Sequence, residues 1–467
     1  MNLTGSQRIS SVVLCVVALA ACDTLTGSER TNNTGSDNPA VADGLWTWVD
    51  GSSTANGPGI YGNQGAANFA NVPGARFGAA TWVDENDSKW LFGGFGRASG
   101  GSLGELNDLW RLDDAGWMWV SGSFQPNDAG EYGNQGVSAP DNRPPARSGA
   151  AAWIDHSGNL WLFGGAHQIT INGDTRFNDL WRFDGATWTW ISGSDEPNQA
   201  GTYGTKGVPA TANTPGARDG AATWVDGDGN LWLFGGLGRD SDGSRGELND
   251  LWRFDGLNWT WVSGSNTADE PGEYPEEGPS LVERLPAPGA RSGAASWVDS
   301  NDNLWLFGGL GFDGEEERGR LNDLWYFDGS NWFWISGSDT VAQAGSYGVQ
   351  GIADPDQHPG ARSPAAYWID SNDRLWLFGG LGLDADGTSG RLNDLWRFDG
   401  SEWTWVAGSD SVDEVGSYGV QGVASAENVP GARSNSASWI DSTGSLWLFG
   451  GRTAATEERN DLWRFRE

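Results

Sequence analysis

The strongest constraint on this chain is its self-similarity. Leu231-Trp-Leu-Phe-Gly-Gly236 is followed by Leu248-Asn-Asp-Leu-Trp-Arg-Phe-Asp255 and then by Trp259-Thr-Trp-Val262, and the set recurs with small changes. The paired glycines fall at Gly93-Gly94, Gly164-Gly165, Gly235-Gly236, Gly308-Gly309, Gly379-Gly380 and Gly450-Gly451, in steps of 71, 71, 73, 71 and 71 residues. Six copies of one unit are present. A period this long marks a repeat architecture whose units fold together, because one unit alone cannot bury its own faces. All 30 tryptophans obey the repeat, five to a copy (Trp224, Trp232, Trp252, Trp259 and Trp261 in the third), so they read as packing.

Each copy resolves into four strands. Ala217 to Asp226 is a first strand with small side chains, and Asp226-Gly-Asp-Gly-Asn230 has hairpin-turn chemistry. Leu231 to Phe234 is a continuous apolar run suited to a strand covered on both faces. Asp250 to Asp255 and Trp259 to Val262 alternate apolar and polar residues around a turn at Asp255-Gly256. Six units of four antiparallel strands predict an all-β, six-bladed propeller. The chain enters on a fourth-type strand, Leu45 to Val49, and leaves on a third-type strand, Asp461 to Phe465. The N-terminal strand is therefore expected to complete the last blade and close the ring.

An apolar strand, Gly-Gly, a loop, Asn-Asp-Leu-Trp-x-Phe-Asp and a following tryptophan resemble the kelch repeat. The resemblance spans residues 45–466, and it implies a kelch-type propeller of the galactose oxidase central-domain kind. These units are about twenty residues longer than a typical kelch unit, the excess lying between the fourth strand and the next first strand. Kelch proteins commonly hold protein partners on their loop-rich face, and by strand parity the loops at 195–217 and 237–248 leave on one side.

The N-terminus carries an address. Arg8 precedes an apolar run from Val12 to Ala21, too short to span a bilayer. It ends in Leu19-Ala-Ala-Cys22, which resembles the lipobox of bacterial lipoproteins. That resemblance implies a signal peptide at 1–21, lipid attachment at Cys22, a polar tether at 22–43 and a propeller at 44–467. The expected location is the bacterial cell envelope, on a membrane's periplasmic or cell-surface side. Cys15 and Cys22 are the two cysteines, so the propeller has no thiol for disulfide, metal or nucleophilic chemistry.

Lys+Arg of 28 against Asp+Glu of 62 gives a net charge of −34. Nucleic acid is excluded as a partner, because phosphate binding needs clustered cations. The copper site of galactose oxidase needs histidines and a tyrosine cross-linked to cysteine, which the propeller lacks, and His156, His167 and His358 are scattered. No cofactor is expected. Asp240-Ser-Asp-Gly243 and Asp384-Ala-Asp-Gly387 begin like calcium loops but lack the remaining ligands.

The expected role is binding of a protein or glycan rather than catalysis, with a sugar epimerase or mutarotase at the channel mouth as the alternative. Candidate ligand-binding residues are one loop tyrosine per blade (Tyr61, Tyr132, Tyr203, Tyr347 and Tyr418, with Tyr274 in an altered copy) and an acidic sector at blade four. That sector holds Glu276, Glu277, Glu315, Glu316 and Glu317. The tyrosines have a structural alternative, each pinning its loop to the neighbouring blade. The six arginines Arg76, Arg147, Arg218, Arg291, Arg362 and Arg433 are expected to cross above the glycines to Asp108, Asp179, Asp250, Asp323, Asp394 and Asp461.

Overall fold

Glycine pairs, small inner residues and alternating aromatics do produce the blades. The computed structural model describes residues 44–167, 175–275, 285–454 and 456–467, so the signal, the tether, Cys22, Glu276 and Glu277 lie outside it. Residues Ala42–Glu467 form one unit. It is a six-bladed kelch-type propeller of four-stranded antiparallel blades. In blade three, Ala222–Val225 lies innermost, followed outward by Leu231–Arg239, Arg245–Phe254 and Trp259–Ser263. A short strand, Arg218–Asp219, continues the inner strand beyond Gly220.

The ring closes as the termini predict. Leu45–Asp50 pairs with Glu457–Arg466, with Leu45 opposite Arg466 and Trp48 opposite Trp463. Trp46 is buried there between Phe378, Trp463 and Phe465, so the last blade is sewn from both ends of the described chain.

Backbone bonds also circle the axis. Gly149 N–H donates to Gly78, Gly220 to Gly149, Gly293 to Gly220 and Gly78 to Asn435, at 2.8–2.9 Å. Pro364 takes the fifth place and has no N–H to give. The same inner strand carries Tyr367 where the other blades have Thr, Ser or Ala. Its hydroxyl lies 3.2 Å from Ser296 Oγ inside the channel, an exception to the small-residue rule. Blade joins blade through the first-strand tryptophans: Trp153 Nε1 donates to Trp232 O at 2.9 Å and Trp439 Nε1 to Trp90 O at 3.0 Å.

Two expectations about loops need correction. Most of 237–248 is paired strand rather than loop, with Leu237 opposite Glu247 and Arg239 opposite Arg245. The turn itself is short, because the ladder continues past the glycines as a projecting hairpin. The long loop at 195–217 does leave on the hairpin side, where Asn198 N–H bonds Arg176 O. It then runs down the outer rim along strand four of the next blade. Gly207 N–H donates to Trp261 O at 2.8 Å, and Asn213 Nδ2 donates to Trp259 O at 3.0 Å. Gly65, Gly136, Gly351 and Gly422 repeat the first of these bonds. The extra twenty residues per unit thus cover the free carbonyls of an edge strand, which would otherwise template association.

Candidate functional site at the channel mouth

The six-fold residues assemble into one buried device per blade. Arg218 Nη1 lies 2.6 Å from Asp250 Oδ1, and Nη2 lies 2.8 Å from Oδ2. Its Nε donates to Gly216 O and its Nη1 also donates to Gly235 O. Asp250 Oδ2 accepts further bonds from Trp252 Nε1 at 2.7 Å and Tyr203 Oη at 2.6 Å. All six blades repeat the ion pair. Every arginine is 1% exposed and every aspartate is fully buried. Charges so desolvated persist because each hydrogen-bonding position is filled.

The glycines have a different reason from arginine passage. A Cβ at Gly235 would meet the backbone oxygens of Arg291 and Leu248 at 2.7 Å, and one at Gly236 would meet Asp219 O at 2.8 Å. Both have positive φ. In blade one the second glycine, Gly94, donates its N–H to Arg147 O of blade two, and Gly165 and Gly380 do likewise. The glycine pair is the place where backbones of adjacent blades touch.

The tyrosines belong to the same device. Tyr61, Tyr203 and Tyr347 are buried, and Tyr132, Tyr274 and Tyr418 are half-buried. Each hydroxyl donates to the blade's aspartate at 2.6–2.7 Å. Each ring packs on two indoles, Trp252 and Trp261 for Tyr203. Burial, with the nearby carboxylate adding to it, drives the phenol pKa values well up, Tyr418 to about 12. As placed, these rings have their aromatic surface against protein, and pinning the loop accounts for their position.

One residue outward of the ion pairs the symmetry fails. In blade three this layer runs Asp219, Leu237, Glu247 across the strands. Around the ring its third-strand members are Glu105, Arg176, Glu247, Arg320, Arg391 and Glu458. Most are matched across a blade junction. Arg176 pairs with Asp219, Arg318 Nη2 with Glu247 Oε1 at 2.6 Å, and Arg97 Nε with Glu458 Oε2 at 3.8 Å. Glu105 Oε1 accepts from Ser148 Oγ at 3.3 Å. Arg320 and Arg391 differ. Neither has a carboxylate at ion-pair distance among the described residues; the Nε of each is buried without an acceptor, a state shared with Arg97, Arg111, Arg182, Arg253, Arg397 and Arg464. Burial depresses the pKa of both; for Arg391 the neighbouring Arg452 adds to the effect and Asp413 opposes it.

The acidic sector is present in part. Glu315, Glu316 and Glu317 stand exposed at the tip of blade four's hairpin, with the backbone N–H groups of Glu315 and Glu317 on Asp313 Oδ1. The calcium-like turns are filled by their own backbone. Asp240 Oδ1 accepts from Asp242 and Ser244 N–H and Oδ2 from Ala268 N–H, and Asp384 repeats the pattern. Among the described residues no group of three or more His, Cys, Asp or Glu could hold a metal ion. The residues present do not fit a copper centre: the propeller has no cysteine, and the histidines sit apart, His167 against Ala146 O and His358 against Pro359 O.

The sequence model of the KLHDC2/KLHL20/DRC7 Kelch-repeats domain matches residues 135–283. With six blades of this geometry, the fold is that of a kelch-type β-propeller. Among solved structures, that of YjhT is similar at 16% identity and a TM-score of 0.49, covering 84% of this chain and 95% of that one. A fungal alcohol oxidase of the AA5 family, in complex with copper, is similar at 13% identity and a TM-score of 0.43, covering 87% of this chain and 76% of its own. No curated protein matches the chain. Kelch propellers generally mediate protein interactions.

Proposed function

We propose that this chain is an interaction protein of the bacterial cell envelope. Acylated at Cys22 and spaced from a membrane by residues 22–43, it would present the hairpin-bearing end of its propeller to a protein or glycan. The observation that carries the reading is that Arg320 and Arg391 have no carboxylate at ion-pair distance among the described residues, in a chain of net charge −34. Two guanidiniums on adjacent blades, each with an N–H donor unfilled, suit a carboxylate on the partner. The exposed Glu315, Glu316 and Glu317 stand on the same hairpin as Arg320 and would steer a partner's basic groups toward the rim.

Calorimetric titration with peptides ending in a free carboxylate and with uronic-acid oligosaccharides tests this. The expected result is binding that weakens with salt and falls about tenfold or more in Arg320→Gln/Arg391→Gln, as loss of a charged hydrogen bond costs about 1.5–3 kcal/mol. Equal affinity in that variant overturns the reading. Incorporation of labelled fatty acid, absent in Cys22→Ser, tests the anchor separately.

Glu247 favours a second reading, a sugar-converting reaction at the same mouth. Burial raises its pKa against the opposing effect of Arg318 and Ser292, and a carboxyl held back from ionising is of the kind that can give or take a proton. Turnover of a reducing sugar that disappears in Glu247→Gln is the outcome that would establish it.

A further inference from the structure

Five of the six blade junctions are closed by the same two side chains. A leucine opening the second strand (Leu160, Leu231, Leu304, Leu375 or Leu446) is at most 2% exposed. A phenylalanine ending the third strand stacks on the preceding blade's tryptophan, as Phe254 does on Trp161 and Phe465 on Trp376. At the junction of blades six and one both are changed. Lys89 stands for the leucine and Leu112 for the phenylalanine. Trp447 is left with Lys89 Nζ 4.6 Å from its ring centre and Arg464 5.4 Å from it.

Two further departures meet there. Asp50 takes the place of Ser121, Ser192, Ser263, Ser336 or Ala407 on the fourth strand. Asp114 takes the place of the turn glycines Gly185, Gly256, Gly329 and Gly400. All four changed residues line one cavity of about 760 Å³, with Trp447 and Arg464. That volume lies within the range of small-molecule sites. The cavity opens on the seam and rim, away from the mouth described above, and the exposed ring of Phe69 stands at its edge.

We propose that this seam binds an uncharged polyhydroxylated ligand, a mono- or disaccharide. An anion entering the cavity would face Asp50 and Asp114 as well as Asp87, Asp113 and Asp441, which are already bonded to Ser442, Arg111 and Trp447, and a cation would face Lys89 and Arg464. Hydroxyl groups both donate and accept, so they are served by Asp50, Asp114, Lys89 and Arg464. The indole and Leu112 supply apolar wall for the C–H face of a sugar ring. Burial lowers the Lys89 pKa while Asp441, Asp87 and Asp114 oppose the fall, and Nζ keeps donor capacity beyond its 3.0 Å bond to Asp87 O.

The test restores the pattern of the other five seams. Saturation-transfer NMR with D-glucose, N-acetylglucosamine and their disaccharides should show saturable binding to the full chain and to Arg391→Gln. Binding should vanish in Lys89→Leu/Leu112→Phe, whose thermal midpoint should equal or exceed that of the parent. Asp114→Gly, an exposed turn change, should fold normally and weaken binding. No binding of these sugars to the parent, or undiminished binding in the double variant or in Asp114→Gly, overturns the proposal.

Discussion

Arg362 and Arg391 lie on the same blade, one residue layer apart, in opposite electrostatic conditions. Arg362 forms a two-pronged pair with Asp394 at 2.7 and 2.8 Å, whereas Arg391 has a buried Nε without an acceptor and Arg452 as a like-charged neighbour. The first is repeated in every blade and the second is not. That difference separates the residues that hold the ring from those proposed above to meet a partner.

Tyr203→Phe should lower stability by about 1–3 kcal/mol, the cost of leaving a buried carboxylate oxygen short of one donor. Ligand affinity at the mouth should be unchanged. Urea unfolding followed by tryptophan fluorescence measures the first effect and titration the second. A variant of full stability that no longer binds would restore the tyrosines to a recognition role.

Gly236→Ala should destabilise by about 1–3 kcal/mol or more, because a side chain at φ +97° is strained and its Cβ would stand 2.8 Å from Asp219 O. Gly229→Ala, at φ +82° with no heavy atom nearer than 3.4 Å, carries the φ strain alone. A smaller loss of thermal midpoint in Gly229→Ala than in Gly236→Ala is expected. Equal losses would mean that the close backbone approach between the first and second strands of the blade contributes nothing.

The pH limits follow from two groups of the sixth blade. Burial opposes ionisation of Asp461, but Arg433 and the donors around it win and hold its pKa below the ordinary carboxylate value of 3.8. A depressed folded pKa gives stability that is complete above the unfolded value and lost as pH falls through the folded one. Tyr418 is raised from 10.0 to about 12. Its contribution is complete below pH 10 and lost as pH climbs toward 12. Circular dichroism should show a flat plateau between, with acid loss beginning below about pH 4. In Tyr418→Phe the alkaline loss should be smaller.

Much of this was legible from spacing. The glycine pairs fixed the blade count, and the strand types at Leu45 and Phe465 fixed the closure. The Arg218–Asp250 pair followed because in every copy both residues open their strands at the loop-rich edge, on either side of the same glycines. The charged layer at Glu105, Arg176, Glu247, Arg320, Arg391 and Glu458 was hidden because 237–248 looks like loop. Glycine and polar residues carry no apolar period, and the ladder there is set by the hairpin beneath it. A column of six charges of mixed sign, two places before each Asn-Asp, was the available signal. The rim course of 195–217 was equally hidden, since the carbonyls it covers belong to Trp259 and Trp261, more than forty residues later. Lys89 was visible as the one charged residue in a column of leucines, yet its consequence needed the neighbouring blade.

Equilibrium urea unfolding of Arg362→Gln beside Arg391→Gln tests the division between framework and mouth without knowledge of the ligand. Arg362→Gln leaves Asp394 buried without its partner and should lose about 3–5 kcal/mol. Arg391→Gln removes a partly desolvated charge that has no carboxylate at ion-pair distance among the described residues and only the more distant Asp413 to favour it, so its stability should stay within about 1 kcal/mol of the parent's. A large loss in Arg391→Gln, or none in Arg362→Gln, would contradict the account.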